Sequence, residues 1–140
     1  YMVGGMGHTS SVALGYALSN KNNIVCIDGD GSMLMHLGSL KTVGTFANKN
    51  FKYIVLNNNS HDSVGGQNTY ADKIDFQKLS KSLGFKDFYS ITNKNGLEKK
   101  IKNFLCNENL SFLEVKVSNS KIKNLPRPKN LIKIKNEFMK

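Results

Sequence analysis

The sequence predicts an α/β protein with three layers, in which a mostly parallel sheet carries helices on both faces. Short apolar runs rich in β-branched residues are typical of buried strands. Stretches with helical spacing separate these runs, and parallel strands need such crossover connections. The chain of 140 residues is the length of one domain, so we treat residues 1–140 as a single unit.

The first half is predicted to contain a helix, a strand, a longer helix and a second strand, over residues 8–20, 24–28, 32–48 and 52–57. In the first helix, the apolar side chains that would share one face are those of Val12, Ala13, Tyr16 and Ala17. The longer helix is expected to begin at Ser32, which places His36 in its interior.

The second half begins with a polar, Gly-rich loop over residues 58–72. A helix follows over 75–84, with Asp75 as its N-cap and Gly84 at its end. The remaining predicted elements are a strand, a helix, a strand and a weak helix, over 87–91, 94–106, 111–117 and 130–139. Residues 116–140 therefore form a tail to the predicted sheet.

The formal net charge of +10 raises the question of a nucleic-acid partner. Residues 1–77 have no net charge, so the whole excess lies in residues 78–140. Arg127 is the only arginine, although arginine is the better residue for planar recognition of phosphates and bases. We therefore interpret the basic region as a solvated surface and expect no nucleic-acid partner.

Membrane and redox signals are weak in this sequence. No apolar run approaches the roughly 20 residues that a membrane span needs, so we expect no membrane partner. The two cysteines, Cys26 and Cys106, are too few for a disulfide framework, and Cys26 lies in an apolar run typical of a buried thiol. These features favour a reducing, cytoplasmic location.

The first chemically informative feature is the turn IDGDGS after the first predicted strand. Gly29 and Gly31 allow the backbone to come close to a ligand, and the helix opened by Ser32 would favour phosphate. Asp30 would repel that phosphate unless a cation bridged the two. A hard ion such as Mg2+ takes oxygen ligands from protein, phosphate and water.

A run of asparagines, Asn57-Asn58-Asn59, follows the second predicted strand. Because the carboxyl ends of parallel strands meet at one edge, these amides should lie near Asp30. A Gly-rich turn with one Asp is more often a simple turn, but the combination with the asparagine run is much more specific.

The pattern Gly29-Asp30-Gly31, followed by Asn57-Asn58, resembles the signature of thiamin-diphosphate enzymes. The resemblance implies a pyrophosphate-binding domain in which Mg2+ is held by Asp30, Asn58 and the main-chain carbonyl of Ser60. Strict counting from Asp30 leaves Asn57 with the Asn59 carbonyl as an alternative pair of ligands.

The N-terminal run from Gly4 to His8 is similar to the segment in which these enzymes bind the aminopyrimidine ring of the cofactor. The resemblance implies that the Met6 side chain separates the two rings of the cofactor and that the Gly4 carbonyl accepts a hydrogen bond from the exocyclic amine. The alternative is that Met6 simply fills the core.

The stretch HDSVGGQ, His61 to Gln67, resembles phosphonopyruvate decarboxylases, as does the tail around Pro126 and Arg127. This resemblance implies decarboxylation of 3-phosphonopyruvate to phosphonoacetaldehyde and CO2. His61 is the candidate for proton transfer, with a structural role as the alternative. Sulfopyruvate decarboxylases share the cofactor signature, and a non-catalytic cofactor-binding module is a further alternative.

The resemblance also indicates what this chain lacks. In the family, a separate pyrimidine-binding domain supplies the glutamate that activates the cofactor, and no Glu occurs here before Glu98. We therefore expect a partner chain or domain, within a homo- or hetero-oligomer, to carry that glutamate. The chain is then either a fragment of a longer polypeptide or a separate subunit.

Overall fold

A computed structural model describes residues 2–19, 21–119, 126 and 128–139. Within these residues the strands are β1 (Ile24–Gly29), β2 (Phe51–Asn57), β3 (Asp87–Ile91) and β4 (Ser111–Lys116). They form one sheet in the order β1-β2-β4-β3, and every neighbouring pair is parallel. The predicted parallel sheet is confirmed.

The helices of the described residues are α1 (Thr9–Ser19), α2 (Asp30–Met35), α3 (Leu37–Phe46), α4 (Phe76–Leu83), α5 (Leu97–Cys106) and α6 (Leu131–Phe138). Asp75 caps α4 as predicted, because its side chain accepts a hydrogen bond from the backbone N–H of Lys78. Gly84 ends the same helix in the left-handed region, with φ of 109°.

Adjacent residues of β4 divide the core into two layers. Phe112 packs on the side of α1, α3 and α4, together with Tyr53 of β2. Leu113 points to the other side, where it packs against Phe104 of α5. Alternation along a strand sends successive side chains to opposite faces, so both faces carry helices as predicted.

The buried face of α1 differs from the predicted one. The buried residues are Ser10, Leu14 and Ala17, whereas Val12 is exposed. The Ser10 hydroxyl is hydrogen-bonded to the Ser39 hydroxyl of α3 at 2.7 Å, so a polar pair occupies part of the helix contact.

The predicted helix over 32–48 is wrong in two respects. The helix begins at Asp30 rather than Ser32, and it is interrupted at His36, whose φ of −133° and ψ of 47° are not helical. The His36 ring lies where Gly7 approaches closely: a Cβ atom on Gly7 would be 2.5 Å from His36 Nδ1. The interruption is thus a tertiary effect.

The C-terminal helix α6 lies against α1 through the rings of Phe138 and Tyr16, whose centroids are 5.0 Å apart. Residues 120–125 and Arg127, which include part of the tail motif around Pro126, lie outside the described residues. No helix within the described part of the chain is both long enough and apolar enough to cross a membrane.

Candidate functional site

The sheet register brings the two predicted motifs to the same edge. Gly29, the last residue of β1, pairs with Leu56 of the neighbouring parallel strand β2. Asp30, which follows β1, and Asn57, which ends β2, therefore lie side by side at the carboxyl edge of the sheet. Ligands of open parallel sheets bind at this edge.

Asp30 is a buried carboxylate with few partners. It begins α2 and is only 2% exposed. The Thr69 hydroxyl donates a hydrogen bond to Asp30 Oδ2 at 2.5 Å, and no described residue donates to Oδ1. None of the ion pairs among the described residues includes Asp30. The carboxylate therefore has accepting capacity that this part of the chain does not use.

The segment after β2 forms a closed loop over this turn. An antiparallel bridge joins Ser60 to Asn68, and the Thr69 N–H donates to the Asn59 carbonyl at 3.2 Å. The polar, Gly-rich loop predicted over 58–72 contains this bridge and the short 3-10 turn Asp62–Val64, and a second 3-10 turn, Ala71–Lys73, lies at its end.

Asp62 connects two of the predicted metal ligands. Its carboxylate accepts hydrogen bonds from the Asn58 amide at 3.1 Å and from the Ser60 hydroxyl at 2.8 Å. Asn58 Oδ1 in turn accepts the Ser60 N–H at 3.0 Å. This small network holds Asn58 and Ser60 in a fixed relation to each other.

Asn57 is held toward the sheet instead. It is 4% exposed, and its amide donates to Glu114 Oε1 at 2.9 Å. Its Oδ1 accepts the N–H of Asn59, which lies in the left-handed region with φ of 58°. Asn59 Oδ1 is buried and has no hydrogen-bond partner among the described residues.

His61 packs against the Gly31 turn. A Cβ atom on Gly31 would lie 2.8 Å from His61 Cε1, so the ring occupies the space that a side chain at position 31 would need. Asp62 is hydrogen-bonded to Asn58 and Ser60 rather than to the imidazole. No described residue forms a hydrogen bond with either ring nitrogen of His61.

The N-terminal segment is fastened to α2. The Gly7 N–H donates to the Ser32 hydroxyl at 3.0 Å, and the rings of His8 and His36 lie 4.3 Å apart. Ser32 thus ties the predicted aminopyrimidine segment to the turn, in addition to its place in the first turn of α2. Met6 is half-buried, and Gly4 is exposed with φ of 76°.

Sequence reasoning missed three residues that shape this edge. Thr69 and Glu114 contact the predicted ligand segments from distant positions in the chain. Asp28 accepts hydrogen bonds from the Gly29 N–H and the Tyr53 hydroxyl, both at 3.0 Å, and thereby fixes the end of β1. Burial, together with the nearby Asp28 charge, raises the pKa of Tyr53. The only signal for Asp28 was its place in IDGD.

Comparison with known proteins identifies the family to which the chain belongs. Residues 1–115 match the model of the C-terminal TPP-binding domain of thiamine pyrophosphate enzymes. A phosphonopyruvate decarboxylase of Streptomyces viridochromogenes is 36% identical over 92% of this chain, which spans 32% of that relative. A sulfopyruvate decarboxylase subunit beta of Methanocaldococcus jannaschii is 35% identical, over 95% of this chain and 72% of that subunit.

A solved structure agrees on the fold. It is a putative thiamin diphosphate-dependent enzyme from Mycobacterium smegmatis, with a TM-score of 0.61 and 21% identity. The match covers 82% of this chain and 23% of that chain. This chain thus spans about a third of the phosphonopyruvate decarboxylase that it matches and a smaller share of the solved enzyme. Fold and sequence together show that the chain belongs to the C-terminal TPP-binding domain family of the thiamine pyrophosphate enzymes.

Proposed function

We propose that this chain is the cofactor-binding part of a Mg2+- and thiamin-diphosphate-dependent decarboxylase of 2-oxo acids. The observation that carries the proposal is the buried Asp30 carboxylate, which has no cationic partner among the described residues. Buried charges in proteins are paired or coordinate metals. Asp30 also lies at the sheet edge where ligands bind.

The proposed metal ligands are the Asp30 carboxylate, the Asn58 side-chain oxygen and the Ser60 carbonyl. All three are hard oxygen donors, which suit Mg2+. No described residue donates to the Ser60 carbonyl, whereas the Asn59 carbonyl accepts the Thr69 N–H. Asn57 and Asn58 each accept a backbone N–H through Oδ1, but Asn57 is buried against Glu114 whereas Asn58 is half-buried, which supports Asn58 with Ser60 over the alternative pair.

The cofactor would lie along the same edge. Gly31 and Ser32 belong to the first turn of α2, where backbone N–H groups have no carbonyl partner within the helix and Gly29 permits close approach. Gly4 and Met6 would hold the aminopyrimidine end, and His61 is the candidate for proton transfer to the product. When bound, thiamin diphosphate supplies the electron sink for loss of CO2, while these residues orient it.

The proposed substrate is 3-phosphonopyruvate, converted to phosphonoacetaldehyde and CO2. The His61–Gln67 stretch and the 36% identity to a phosphonopyruvate decarboxylase support this choice. Sulfopyruvate is the second candidate, because the chain covers 72% of one sulfopyruvate decarboxylase subunit beta and 75% of another. Both acids carry an anionic group, for which the loop offers donors on His61, Ser63 and Gln67.

A partner would complete the enzyme. No Glu precedes Glu98, so we propose that a pyrimidine-binding domain, on another chain or in another part of the protein, supplies the activating glutamate within an oligomer. The relatives named subunit beta support such a division. The cysteines Cys26 and Cys106 are both free, which fits the reducing cytoplasm that we propose as its location.

The test compares the two acids with the assembled enzyme, supplied with Mg2+ and thiamin diphosphate. We expect a higher kcat/KM for phosphonopyruvate, and a higher value for sulfopyruvate would favour the second candidate. Asp30→Ala is the control for the metal site and should abolish turnover of both acids. Full activity of that variant would show that turnover does not need the metal site of this chain, and it would favour a non-catalytic cofactor-binding module.

The partner proposal has its own test. The purified 140-residue chain, given both cofactors, should decarboxylate neither acid, because the activating glutamate is missing. Release of CO2 can be followed by a coupled assay. Measurable turnover by this chain alone would contradict the need for a partner.

A further inference from the structure

Thr69 is joined to Asp30 across 39 positions of the chain. Its hydroxyl donates to Asp30 Oδ2 at 2.5 Å, and it is the one side chain of the described residues that is hydrogen-bonded to this carboxylate. The same Thr69 oxygen accepts the Ala71 N–H at 3.4 Å, and an ionised carboxylate can only accept, so the hydroxyl is the donor to Asp30. The direction of this hydrogen bond is therefore fixed.

The backbone around Thr69 is fixed as well. Its N–H donates to the Asn59 carbonyl, between the two proposed ligand residues Asn58 and Ser60. The next residue, Tyr70, has φ of 56°, and its N–H donates to Asn68 Oδ1 at 2.6 Å. Thr69 thus links the end of the loop to both halves of the proposed metal site.

We propose that Thr69 is a positioning residue that holds Asp30 in the rotamer needed for metal binding. The inference rests on the proposed function, since it assumes that Asp30 binds the cation. Thr69 donates to Oδ2, and Oδ1 receives no hydrogen bond from the described residues, so Oδ1 is the oxygen that we propose for the metal. Groups that are hydrogen-bonded to metal ligands in this way orient them and tune their affinity.

A second consequence concerns the loop. Because Thr69 contacts Asp30 through its hydroxyl and Asn59 through its N–H, it sets the distance between the carboxylate and the Asn58–Ser60 segment. Loss of the hydroxyl would leave the backbone contact in place while freeing the carboxylate to rotate. The expected defect is therefore in metal affinity rather than in folding.

The test measures Mn2+ binding, as a spectroscopic substitute for Mg2+, by electron paramagnetic resonance of the free ion. It uses the full protein, assembled with any partner it needs, in the presence of thiamin diphosphate. Thr69→Val and Thr69→Ala both remove the hydroxyl, and Thr69→Ser retains it. Thr45→Val is the matched control, because the Thr45 hydroxyl donates to the Lys41 carbonyl on the remote helix α3.

The Val and Ala variants should bind Mn2+ roughly 10-fold to 100-fold more weakly, while Thr69→Ser and Thr45→Val stay within about twofold of the parent. The unfolding midpoints without metal show whether each variant is folded. Should Thr69→Val fail to fold, the Ala and Ser variants, which differ only by the hydroxyl, still decide the question.

Parent-like Mn2+ affinity of the Val and Ala variants would overturn the role of Thr69. Equal weakening in the Ser variant would also overturn it, because the hydroxyl would then not be the cause. Asp30→Asn separates this failure from that of the proposed function. If Asp30→Asn weakens Mn2+ binding and Thr69→Val does not, only the present inference fails; if Asp30→Asn binds normally, the metal site itself is wrong.

Discussion

Two charged side chains are almost fully buried at opposite ends of the strands, and they differ in the number of hydrogen-bond partners that the chain provides. Lys52, near the start of β2, is 3% exposed, and Asp30, after the end of β1, is 2% exposed. The Lys52 ammonium donates to the carbonyls of Lys49, Asn107 and Asn109, the first two at 3.1 and 2.7 Å and the third at 2.5 Å. Asp30 accepts a single side-chain hydrogen bond from the described residues, which the Thr69 hydroxyl donates.

This difference is what we expect between a structural charge and one that binds a ligand. An ammonium group has three donors, and at Lys52 the chain itself provides three acceptors. Burial lowers the pKa of Lys52, and the charge of Asp87 partly opposes this effect. Asp30 has no such complement among the described residues, and for this reason we propose that it binds a cation. What distinguishes the two sites is therefore how far the partners within the chain satisfy each buried charge.

The largest expected effect comes from Asp30→Asn, which removes the charge and keeps the shape. Activity of the assembled enzyme should fall roughly 100-fold or more, because the variant would lose the cation that we propose to stabilise the diphosphate. The unfolding midpoint measured without metal should stay the same or rise, since an unpaired buried charge disappears. A large fall in that midpoint, with activity intact, would show that Asp30 is a structural charge like Lys52.

Lys52→Met should have the opposite pattern. Three carbonyls would lose their donor, which costs about 3 kcal/mol of the free energy of unfolding at about 1 kcal/mol each. Urea denaturation measures this loss, and Lys49→Met, at an exposed neighbouring lysine, is the control. Mn2+ affinity of the folded variant should not change, so a matching loss of affinity would break the contrast.

Two glycines allow the same comparison between a structural position and a position in the candidate site. A Cβ atom on Gly44 would be 2.7 Å from the backbone carbon of Leu83, so Gly44→Ala should cost about 3 kcal/mol of stability. The three atoms nearest to a Cβ atom on Gly31 all belong to the His61 ring, and a side chain can shift more easily than backbone. Gly31→Ala should therefore lower activity with a smaller stability loss, and equal stability losses in urea denaturation would contradict this.

The smallest effect concerns the thiols. Burial, with a contribution from Asp28, raises the pKa of Cys26 to about 12, whereas Cys106 is exposed. At pH 8 only about one Cys26 thiol in ten thousand would be ionised, so a thiol reagent should label Cys106 alone. Mass spectrometry of the labelled protein checks this. Rapid labelling of Cys26 would show that β1 opens beneath Asp30, which would weaken the argument from burial.

The sequence was sufficient for elements with strong local signals. The bounds of β1 and β2 differ from the predicted strands by one residue, and Asp75 and Gly84 mark the ends of α4 as their capping chemistry indicates. The adjacency of Asp30 and the asparagine run also followed from strand order. These features depend on residues that are close in sequence or on a general rule of parallel sheets.

The features that sequence did not reveal depend on long-range contacts. The segment around His36 contains no proline, and the interruption coincides with the approach of Gly7 and the packing of the His8 ring. Thr69 lies in a polar loop with no motif of its own, yet it contacts Asp30. Our proposal of Asn58 rather than Asn57 as a metal ligand likewise depends on a contact with Glu114, 57 positions from Asn57.

The most direct test is the anomalous diffraction of crystals of the assembled enzyme grown with Mn2+ and thiamin diphosphate. We expect one peak within bonding distance, about 2.1 Å, of Asp30 Oδ1, Asn58 Oδ1 and the Ser60 carbonyl, with Thr69 still hydrogen-bonded to Oδ2. A peak coordinated by Asn57 and the Asn59 carbonyl, or a bound diphosphate with no metal at Asp30, would contradict it.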